Sequence, residues 1–419
     1  MIGHLLKHCF LIYNKENELL GDCRKMELSE KVKSLTPSQT IEITNTARKL
    51  KADGYDIISL SAGEPDFNTP EEVIEAAHQA ALDGHTKYTA SVGIKAVRQA
   101  IADKMLRDNN LEYTPDEVYV GNGAKQVLFN IFLATLNPTD EVLLPAPYWV
   151  SYSEQIKMVG GEPVTIETTE DTNFKLTPEL LKAHITEKTK MIVLNSPNNP
   201  TGGIYSKEEL QALVDVLEHT DIIVVVDEIY EVLAYEREHI SIASLSEKIK
   251  GQSIIVNGFS KSHAMTGWRI GYACGPLNVI KALGDLSSQS TTSVASPSQY
   301  AAIKAYNMSD DFKNDYVSTF KARRDNAYEK LMTVPHVRCI KPEGAFYLFP
   351  YLKDIASQCG YDSVDDFVKG LLTDQYVAIV PGAAFGAKDY ARISYSVSEE
   401  KFNEGIERIK TFINKKTTV

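Results

Sequence analysis

Residues 256–275 read VNGFSKSHAMTGWRIGYACG, and in this stretch a loop joins two apolar segments of strand length, predicted at residues 253–256 and 270–274. The loop carries one lysine, Lys261, among small residues, and Arg269 follows eight positions later. A lysine between two apolar strands lies near a packed interior, where its amine can lose its charge and become a nucleophile toward a carbonyl. The arginine can hold an anion. The alternative is that both are solvated basic residues in a connecting loop.

Pyridoxal phosphate (PLP) needs both properties, because it forms an imine with a lysine and carries a phosphate that an arginine can hold. Lys261 and Arg269 alone do not decide between such a site and an ordinary basic loop. The composition of the chain and the residues that follow its other strands distinguish the two.

The composition is that of a globular protein. The chain has 419 residues, 43% of them hydrophobic and 24% charged, which is enough for a large domain and a smaller one. The net charge of −12 and the lack of a basic run argue against nucleic acid as a partner. Five cysteines without paired spacing fit a reducing cytoplasm better than a disulfide framework or a zinc site, so we expect a cytoplasmic protein. No apolar run is long enough to span a bilayer, so we expect no membrane partner.

The N-terminal region differs from the rest of the chain. Residues 9–13 form a short apolar core, but little positive charge precedes it and no small-residue cleavage site follows, so it is weak as a signal peptide. Met26 begins a stretch that reads like an ordinary N-terminus. We therefore expect residues 1–25 to be a misassigned start or a disordered arm. We predict that residues 26–70 pack with a small domain.

Strands and helices alternate through the middle of the chain, which we predict to be a large domain of residues 71–300. Capping boxes predict that one helix starts at Thr69, followed by Pro70, and another at Ser206. Buried strands between amphipathic helices predict an α/β fold, with a largely parallel sheet covered on both faces. The apolar runs of strand length are residues 118–120, 141–144, 190–195, 222–227, 253–256 and 270–274.

The pattern changes after about residue 300, and residues 301–419 predict a smaller α+β domain. Polar helices are predicted over about 309–332 and from 398 to about 415. The strands predicted between them are short and occupy residues 337–341, 345–349, 377–380 and 392–395.

Polar residues follow several predicted strands, where open α/β sheets bind ligands. Asp227 ends the run 222–227, and a carboxylate beside apolar residues needs a cation or a metal as partner. A protonated pyridine nitrogen would serve, and Tyr230 could donate a hydrogen bond to the ring oxygen. The same run resembles a Walker B segment, but the chain has no GxxxxGK[ST] loop, which argues against an NTPase.

Two further segments and one aromatic residue could contact a ligand. NSPNNPTG at residues 195–202 is typical of a turn, and such a rigid loop could also carry Asn199 to the ring oxygen. Small residues at 121–124 precede a helix predicted over about 126–136, and backbone N–H groups at a helix start can bind phosphate. Trp149 is either a core aromatic or a ring that stacks on a planar ligand.

Three other residues have both a structural and a functional interpretation. Arg392 could bind a carboxylate through two hydrogen bonds, or could be an exposed charge on an edge strand. Gly63 is either a turn glycine or a place where a backbone N–H approaches a ligand. We interpret His263 as structural, because the neighbouring lysine would already lie at the reacting centre.

Nine segments, taken in order, resemble the class I aminotransferases, which are fold-type I PLP enzymes. The resemblance extends from Met26 to the C-terminus and is strongest for bacterial aspartate aminotransferases of the branch that also contains the prephenate aminotransferases. It implies a large domain with a mostly parallel, seven-stranded sheet and a smaller α+β domain. The segments are SAGEPDF, KYTASVG, GNGAKQ, PYWVSY, NSPNNPTG, VVDEIY, NGFSKSHAMTGWRIGYACG, SSQSTTS and ARISYS.

The resemblance implies roles in a PLP site. Lys261 would hold the cofactor as an imine and then act as general base and general acid. Asp227 would pair with the ring nitrogen, whereas Tyr230 and Asn199 would bond the ring oxygen. The other implied contacts are stacking by Trp149, phosphate binding by Arg269 and the backbone at Gly123 and Ala124, and a contact from Tyr88 to the phosphate of the neighbouring subunit in a homodimer.

The resemblance also bears on the substrate, which would be an amino acid and a 2-oxo acid. Arg392 and the Gly63 N–H would bind the α-carboxylate, and Trp149 and Asn199 would also contact the substrate. Lys125 would read a distal carboxylate, with help from Ser38 and Thr40. We therefore expect transfer of the amino group from L-aspartate to 2-oxoglutarate. The alternatives are a prephenate or aromatic aminotransferase on the same scaffold and a PLP-dependent β-lyase. A catalytically inactive sensor of amino acids or PLP is less favoured, because every expected catalytic position is filled.

Overall fold

The strands form one large sheet and two small ones in the computed structural model, which describes residues 27–33, 35 and 39–417, without the side chains of residues 39–41. The strands of the large sheet are β2 Val118–Gly121, β3 Glu141–Ala146, β4 Glu162–Glu167, β5 Thr189–Asn195, β6 Ile223–Asp227, β7 Ser253–Gly258 and β8 Gly271–Cys274. The strands of the small sheets are β1 Ile58–Ser59, β9 Tyr347–Leu348, β10 Val377–Ala378, β11 Val380–Pro381 and β12 Ala391–Ser394.

The helices lie between these strands and at both ends of the described chain. They are α1 Glu30–Lys33, α2 Gln39–Ala52, α3 Glu71–Leu82, α4 Lys95–Asn109, α5 Ala124–Thr135, α6 Ser151–Val159, α7 Pro178–His184, α8 Lys207–Leu217, α9 Glu247–Gln252, α10 Phe259–Ser262, α11 Leu277–Gln289, α12 Ser296–Tyr306, α13 Asp311–Leu331, α14 Lys353–Gln358, α15 Val364–Gln375 and α16 Glu399–Thr417. Short 3-10 turns connect several of them, among them Thr266–Trp268 just before β8.

The large sheet has the strand order β2-β8-β7-β6-β5-β3-β4. β4, β3, β5, β6 and β7 run parallel, whereas β8 is antiparallel to both of its neighbours. The expected seven-stranded, mostly parallel sheet of an α/β fold is therefore confirmed, and each predicted apolar run overlaps one of its strands. β4 was not predicted, because it is an edge strand that contains Pro163 and has mostly exposed or half-buried residues.

Both faces of the large sheet are buried, and β6 illustrates this. Val225 packs into the core on one face, together with Val256 and Ile131. Val224 and Val226 pack into the core on the other face. Each such valine contributes about 1.5–3 kcal/mol by leaving water. The strand therefore has no exposed face, and the residue that ends it is held firmly in place.

The capping box predicted at Ser206 is confirmed, whereas the one at Thr69 is wrong. Ser206 Oγ accepts a hydrogen bond from the Glu209 N–H at 3.2 Å, and the Glu209 carboxylate accepts one from the Ser206 N–H at 2.6 Å. Pro70 takes the cap position of α3, with no side-chain capping bond. The Thr69 hydroxyl instead donates to the Ala264 carbonyl at 2.8 Å and accepts from Trp268 Nε1 at 3.0 Å. These bonds attach the start of α3 to the loop after Lys261.

The small sheets join distant parts of the chain. β1 pairs with β10 in parallel, and β12 pairs with β11 and β9 in antiparallel fashion. The strand predicted at residues 337–341 is wrong, because only Arg338 forms an isolated bridge there. Pro342 follows and has no N–H to donate. The backbone N–H groups of residues 343 and 344 both donate to the Gly202 carbonyl. These two residues therefore bond the NSPNNPTG loop and do not extend a strand.

The described residues from 39 to 417 form one compact unit, and residues 27–33, which contain the short helix α1, belong to a separate unit. The division into domains at residues 70 and 300 stays a prediction, and residues 1–25 lie outside the described residues. Across the described ranges, the chain has no helix that is both long enough and apolar enough to cross a membrane.

Candidate active site

The register of the large sheet brings most of the predicted site residues together at the carboxyl ends of its parallel strands. Asn195 at the end of β5 lies opposite Asp227 at the end of β6, and Asp227 lies opposite Val256 of β7. Gly258, at the end of β7, pairs with Gly271, which lies two residues after Arg269. A cavity of about 430 Å³ opens here. The predicted residues that line it are Gly63, Ala124, Lys125, Trp149, Asn199, Asp227, Tyr230, Lys261, Arg269 and Arg392.

Lys261 lies in the single turn of α10 and points into the cavity, which it lines. Its ammonium donates a hydrogen bond to the Gly63 carbonyl. Burial lowers the pKa of Lys261 to about 8; the charge of Glu64 opposes this shift, whereas the charge of Arg392 adds to it. A lysine with this pKa has a substantial neutral fraction slightly above neutral pH, which is what a nucleophile or a base requires.

Asp227 is a buried carboxylate at the end of a strand that is buried on both faces. Its Oδ2 accepts a hydrogen bond from the Tyr152 hydroxyl at 2.6 Å, and its Oδ1 accepts one from the Ile229 N–H at 3.2 Å. Burial raises the pKa of Asp227 to about 6, while these two hydrogen bonds oppose the rise. No lysine, arginine or histidine among the described residues forms an ion pair with it. A cationic ligand group would therefore relieve its burial.

An anion site is formed where the start of α5 meets Arg269. Gly123 caps α5 with φ +84°, and a Cβ at this position would lie 2.6 Å from Arg269 Nη2, so only glycine permits the approach. Gly271 has the same function, because its Cβ would lie 2.5 Å from the Ala124 nitrogen. Arg269 donates to the Thr266 carbonyl at 3.0 Å and to the Asn122 carbonyl at 3.4 Å. The helix N-terminus and the guanidinium together suit a phosphate.

Arg392 is the buried cation of the opposite wall. Its Nη1 donates to Asn199 Oδ1 at 3.0 Å, and its Nη2 donates to the Ser61 carbonyl at 2.9 Å. Its Nε is buried with no hydrogen-bond partner among the described residues, and none of their carboxylates forms an ion pair with it. The Tyr347 ring lies 4.3 Å from the guanidinium carbon, measured to the ring centroid. A buried guanidinium with unused N–H groups can donate hydrogen bonds to a ligand carboxylate.

Lys125 and Trp149 form a third part of the cavity. The Lys125 ammonium lies 4.8 Å from the centroid of the indole. Burial, and then the charge of Arg269, lower the pKa of Lys125. The edge of the Tyr152 ring meets the indole, with centroids 5.4 Å apart and an interplanar angle of 83°. The indole is therefore a half-buried surface that a planar ligand could cover.

Two other predicted residues, Tyr88 and Gly123, do not line the cavity, and His263 packs elsewhere. Tyr88 is 88% exposed. Gly123 contributes through its contact with Arg269. Ser38 and the side chain of Thr40 lie outside the described residues. His263 stacks near the Phe312 ring and shares a hydrogen bond of 2.8 Å with Ser262 Oγ, as the structural interpretation expects.

The sequence analysis assigned no role to several polar residues of the cavity, among them Tyr152, Tyr347 and Asn195. Tyr152 bonds Asp227, and Tyr347 shares a hydrogen bond of 2.7 Å with Tyr230. Asn195 accepts from the Asn199 N–H at 2.8 Å and donates to the Asp227 carbonyl at 2.9 Å, so it ties two site residues together. Asn195 could have been found from its place at a strand end. Tyr152 lies one helical turn after Trp149, which was a usable signal.

Comparison with known protein families matches residues 55–409 to the family described as aminotransferase class I and II. The aspartate aminotransferase of Bacillus subtilis (strain 168) is 51% identical over 391 residues, which are 93% of this chain and 100% of that protein. The aspartate/prephenate aminotransferase of Cereibacter sphaeroides (strain ATCC 17029 / ATH 2.4.9) is 44% identical over 392 residues, 92% of this chain and 98% of that protein.

Comparison with solved structures also finds aspartate aminotransferases. The aspartate aminotransferase of Thermus thermophilus, solved with maleate, superposes with a TM-score of 0.87 and 41% sequence identity. The match covers 93% of this chain and 100% of that one. The similarity therefore includes the sheet, the cavity at its edge and the small sheets.

Proposed function

This chain belongs to the class I and II aminotransferases, and from that premise we propose that it is an aspartate aminotransferase, which transfers the amino group of L-aspartate to 2-oxoglutarate and yields oxaloacetate and L-glutamate. One observation carries the choice of substrate: two cations besides Arg269, namely Arg392 and Lys125, line the cavity that holds Lys261. A substrate with two carboxylates needs two such cations.

The residues of the cavity fit PLP as the cofactor. Asp227, buried without an ion pair among the described residues, would hold the protonated ring nitrogen. Arg269 and the start of α5, brought together at Gly123, would hold the phosphate. When bound, PLP supplies an electron sink for the negative charge that develops at the substrate Cα. The remaining contacts that we assign are Trp149 against the ring face, and Tyr230 and Asn199 at the ring oxygen.

Lys261 would carry the proton transfer. Its lowered pKa of about 8 leaves a substantial neutral fraction slightly above neutral pH, so its Nζ can accept the proton from the substrate Cα and later donate it as a general acid. The Gly63 carbonyl already holds the ammonium in the cavity.

Arg392 would orient the substrate for that step. Its bonds to Asn199 and to the Ser61 carbonyl fix the guanidinium, and its unused N–H groups, together with the Gly63 N–H, would bind the α-carboxylate. Lys125 would hold the distal carboxylate. With both carboxylates held, the Cα proton would face the Lys261 amine, which is the positioning that transfer needs.

We also infer a cytoplasmic homodimer whose active sites are shared between subunits. Tyr88 supports this, because a tyrosine that is 88% exposed in one chain is free to reach a neighbouring subunit's phosphate. Cys274, Cys339 and Cys359 are free, which agrees with a reducing compartment.

The test is an absorbance titration of the purified protein with L-aspartate alone. We expect the visible band of the bound cofactor to disappear and to return when 2-oxoglutarate is added, which demonstrates both half-reactions. The control is the same titration with an amino acid that has one carboxylate, such as L-alanine, which should require much higher concentrations.

Other outcomes point to the alternatives. A protein that binds PLP but does not respond to aspartate would contradict the proposed substrate, and prephenate with L-glutamate would be tested next, since the Cereibacter sphaeroides relative is named for both substrates. Release of ammonia with loss of the substrate's β-substituent would indicate a β-lyase. A protein that cannot be loaded with PLP would overturn the role of Lys261.

A further inference from the structure

Tyr152 contacts two of the residues that we assign to the cofactor. It lies in the first turn of α6, three positions after Trp149, and it is 1% exposed. Its hydroxyl donates to Asp227 Oδ2 at 2.6 Å, and the Ile229 N–H donates to the other oxygen, Oδ1, at 3.2 Å. Because each oxygen has its own donor, the carboxylate cannot rotate without losing a bond.

The hydrogen bond also affects the charge of the carboxylate. Burial raises the pKa of Asp227 to about 6, and the bond from Tyr152 is the strongest of the effects that oppose this rise. Burial, followed by the charge of Asp227, raises the pKa of Tyr152, so the phenol keeps its proton and remains a donor. The bond therefore stabilises the carboxylate form of Asp227, which is the form that can pair with a cation.

The ring of Tyr152 makes a separate contact. Its edge meets the indole of Trp149 in a T-shaped arrangement, with centroids 5.4 Å apart. A phenylalanine at this position would keep the ring contact and lose only the hydroxyl. The two functions of the side chain can therefore be separated by one substitution.

We propose that Tyr152 is a positioning residue of this site: its hydroxyl keeps Asp227 ionised and turned toward the ring nitrogen of the cofactor. Tyr152 acts through Asp227, and removing the hydroxyl weakens the ion pair that holds the ring. The proposal rests on the proposed function only in that Asp227 faces this nitrogen.

The experiment compares Tyr152→Phe with the wild type by equilibrium dialysis against PLP over a range of pH. We expect the affinity for PLP to fall about tenfold, the typical size of one hydrogen bond to a charged group. We also expect the acid limb of the affinity profile to move to higher pH. The reason is that Asp227, without the bond from Tyr152, takes up a proton at higher pH.

A second variant and a double variant serve as controls. Tyr119 is also buried and bonds Ser287 and Asn130 outside the cavity, so Tyr119→Phe should leave both the affinity and the profile unchanged. Adding Tyr152→Phe to Asp227→Asn should change the affinity little, because the residue through which Tyr152 acts is already neutral.

The results separate this proposal from the proposed function. If Tyr152→Phe has the affinity and pH profile of Tyr119→Phe, or if the losses of Tyr152→Phe and Asp227→Asn add fully, the positioning role is wrong. If the wild type binds PLP but does not transaminate aspartate, the proposed substrate is wrong, whereas the binding data still decide the role of Tyr152. If the wild type does not bind PLP, both fail.

Discussion

At the residue scale, burial gives Lys261 its chemistry. Removal from water is the main cause that lowers the pKa of its amine to about 8, and the charge of Arg392 contributes to the same shift. We predict that Lys261→Ala loses at least about a thousandfold in kcat/KM for aspartate, since nucleophile and base are removed together. Steady-state kinetics with a coupled assay for oxaloacetate measure this loss. Lys304→Ala, a substitution of a half-exposed lysine paired with Glu72, is the control and should keep full activity.

The role proposed for Lys125 predicts how a variant discriminates between amino acids with two carboxylates and those with one. Lys125→Ala should lower kcat/KM for L-aspartate about tenfold to a hundredfold more than for L-alanine, because only aspartate loses a charge-assisted contact. The measurement is the ratio of the two kcat/KM values in the variant and in the wild type. Equal losses for both substrates would show that Lys125 serves the phosphate or the indole of Trp149, which its ammonium also faces.

Some of these residues could be predicted from the sequence, and others could not. Asp227 ends one continuous apolar strand and Asn199 follows another, so the sequence indicates that both lie at the carboxyl ends of the strands. Tyr347 bonds Tyr230 across 117 positions of the chain, and no local pattern encodes such a contact. Tyr152 was missed, because no helix was predicted around it and because the direction of its hydroxyl depends on how α6 packs on α5, β3 and β4.

At the element scale, the segment that begins at the last residue of β6 carries Asp227 and Tyr230 and is anchored by buried charges. Lys104 of α4 forms an ion pair with Glu231 and donates to Asn109 Oδ1 at 2.7 Å. Glu228 is fully buried, and its Oε1 lies 3.3 Å from His239 Nε2. The Lys104–Glu231 pair therefore holds the segment to α4, and the Glu228–His239 pair links the start of the segment to the chain that follows it.

Loss of one buried charge should destabilise this anchor. Lys104→Met leaves Glu231 buried without its cation, and we expect the free energy of unfolding to fall by about 3–5 kcal/mol. Lys304→Met is the matched control; it breaks the exposed pair with Glu72 and should change the free energy by less than about 1 kcal/mol. Urea unfolding at one fixed protein concentration measures both. Similar values for the two variants would contradict the role of the buried pair.

The same cluster predicts a pH dependence. Burial is the largest single effect on the pKa of His239 and lowers it, but the charge of Glu228, the contact with Glu228 and the charge of Glu231 together outweigh it, so the net pKa lies above the ordinary value. The stabilisation by the His239–Glu228 pair is therefore complete below about pH 6.5, the pKa of the unfolded chain, and is lost as pH rises through the folded pKa. His239→Gln should destabilise the protein most at about pH 6 and least at about pH 9. Urea unfolding of both proteins at the two pH values tests this, and an equal difference at both would contradict it.

The elements that the sequence predicted correctly are those with a buried core run. β6 and β7 are buried on both faces, which leaves an unbroken apolar stretch in the sequence. β4 lies at the sheet edge and leaves no such run. Residues 337–341 resemble a strand, but the backbone just after them, at residues 343 and 344, bonds the NSPNNPTG loop. Edge strands and loop contacts depend on neighbours that are distant in the chain, so local sequence patterns do not predict them.

At the scale of the whole molecule, one chain does not contain a complete site if Tyr88 completes the site of its neighbour. Tyr88 does not line the cavity of its own chain and is 88% exposed. Mixing two defective chains tests the arrangement. One chain carries Lys261→Ala and keeps Tyr88, and the other carries Tyr88→Ala and keeps Lys261.

In the mixed dimer, one of the two sites combines Lys261 of one chain with Tyr88 of the other, and the second site lacks both. We predict that mixed dimers, separated by different affinity tags, bind PLP at this one site with the affinity of the wild type. The Tyr88→Ala homodimer should bind PLP about tenfold more weakly, because each phosphate lacks one charge-assisted hydrogen bond. If the mixed dimer binds no better than the Tyr88→Ala homodimer, Tyr88 does not act across the interface. The site would then have to hold the phosphate with Arg269 and the start of α5 alone.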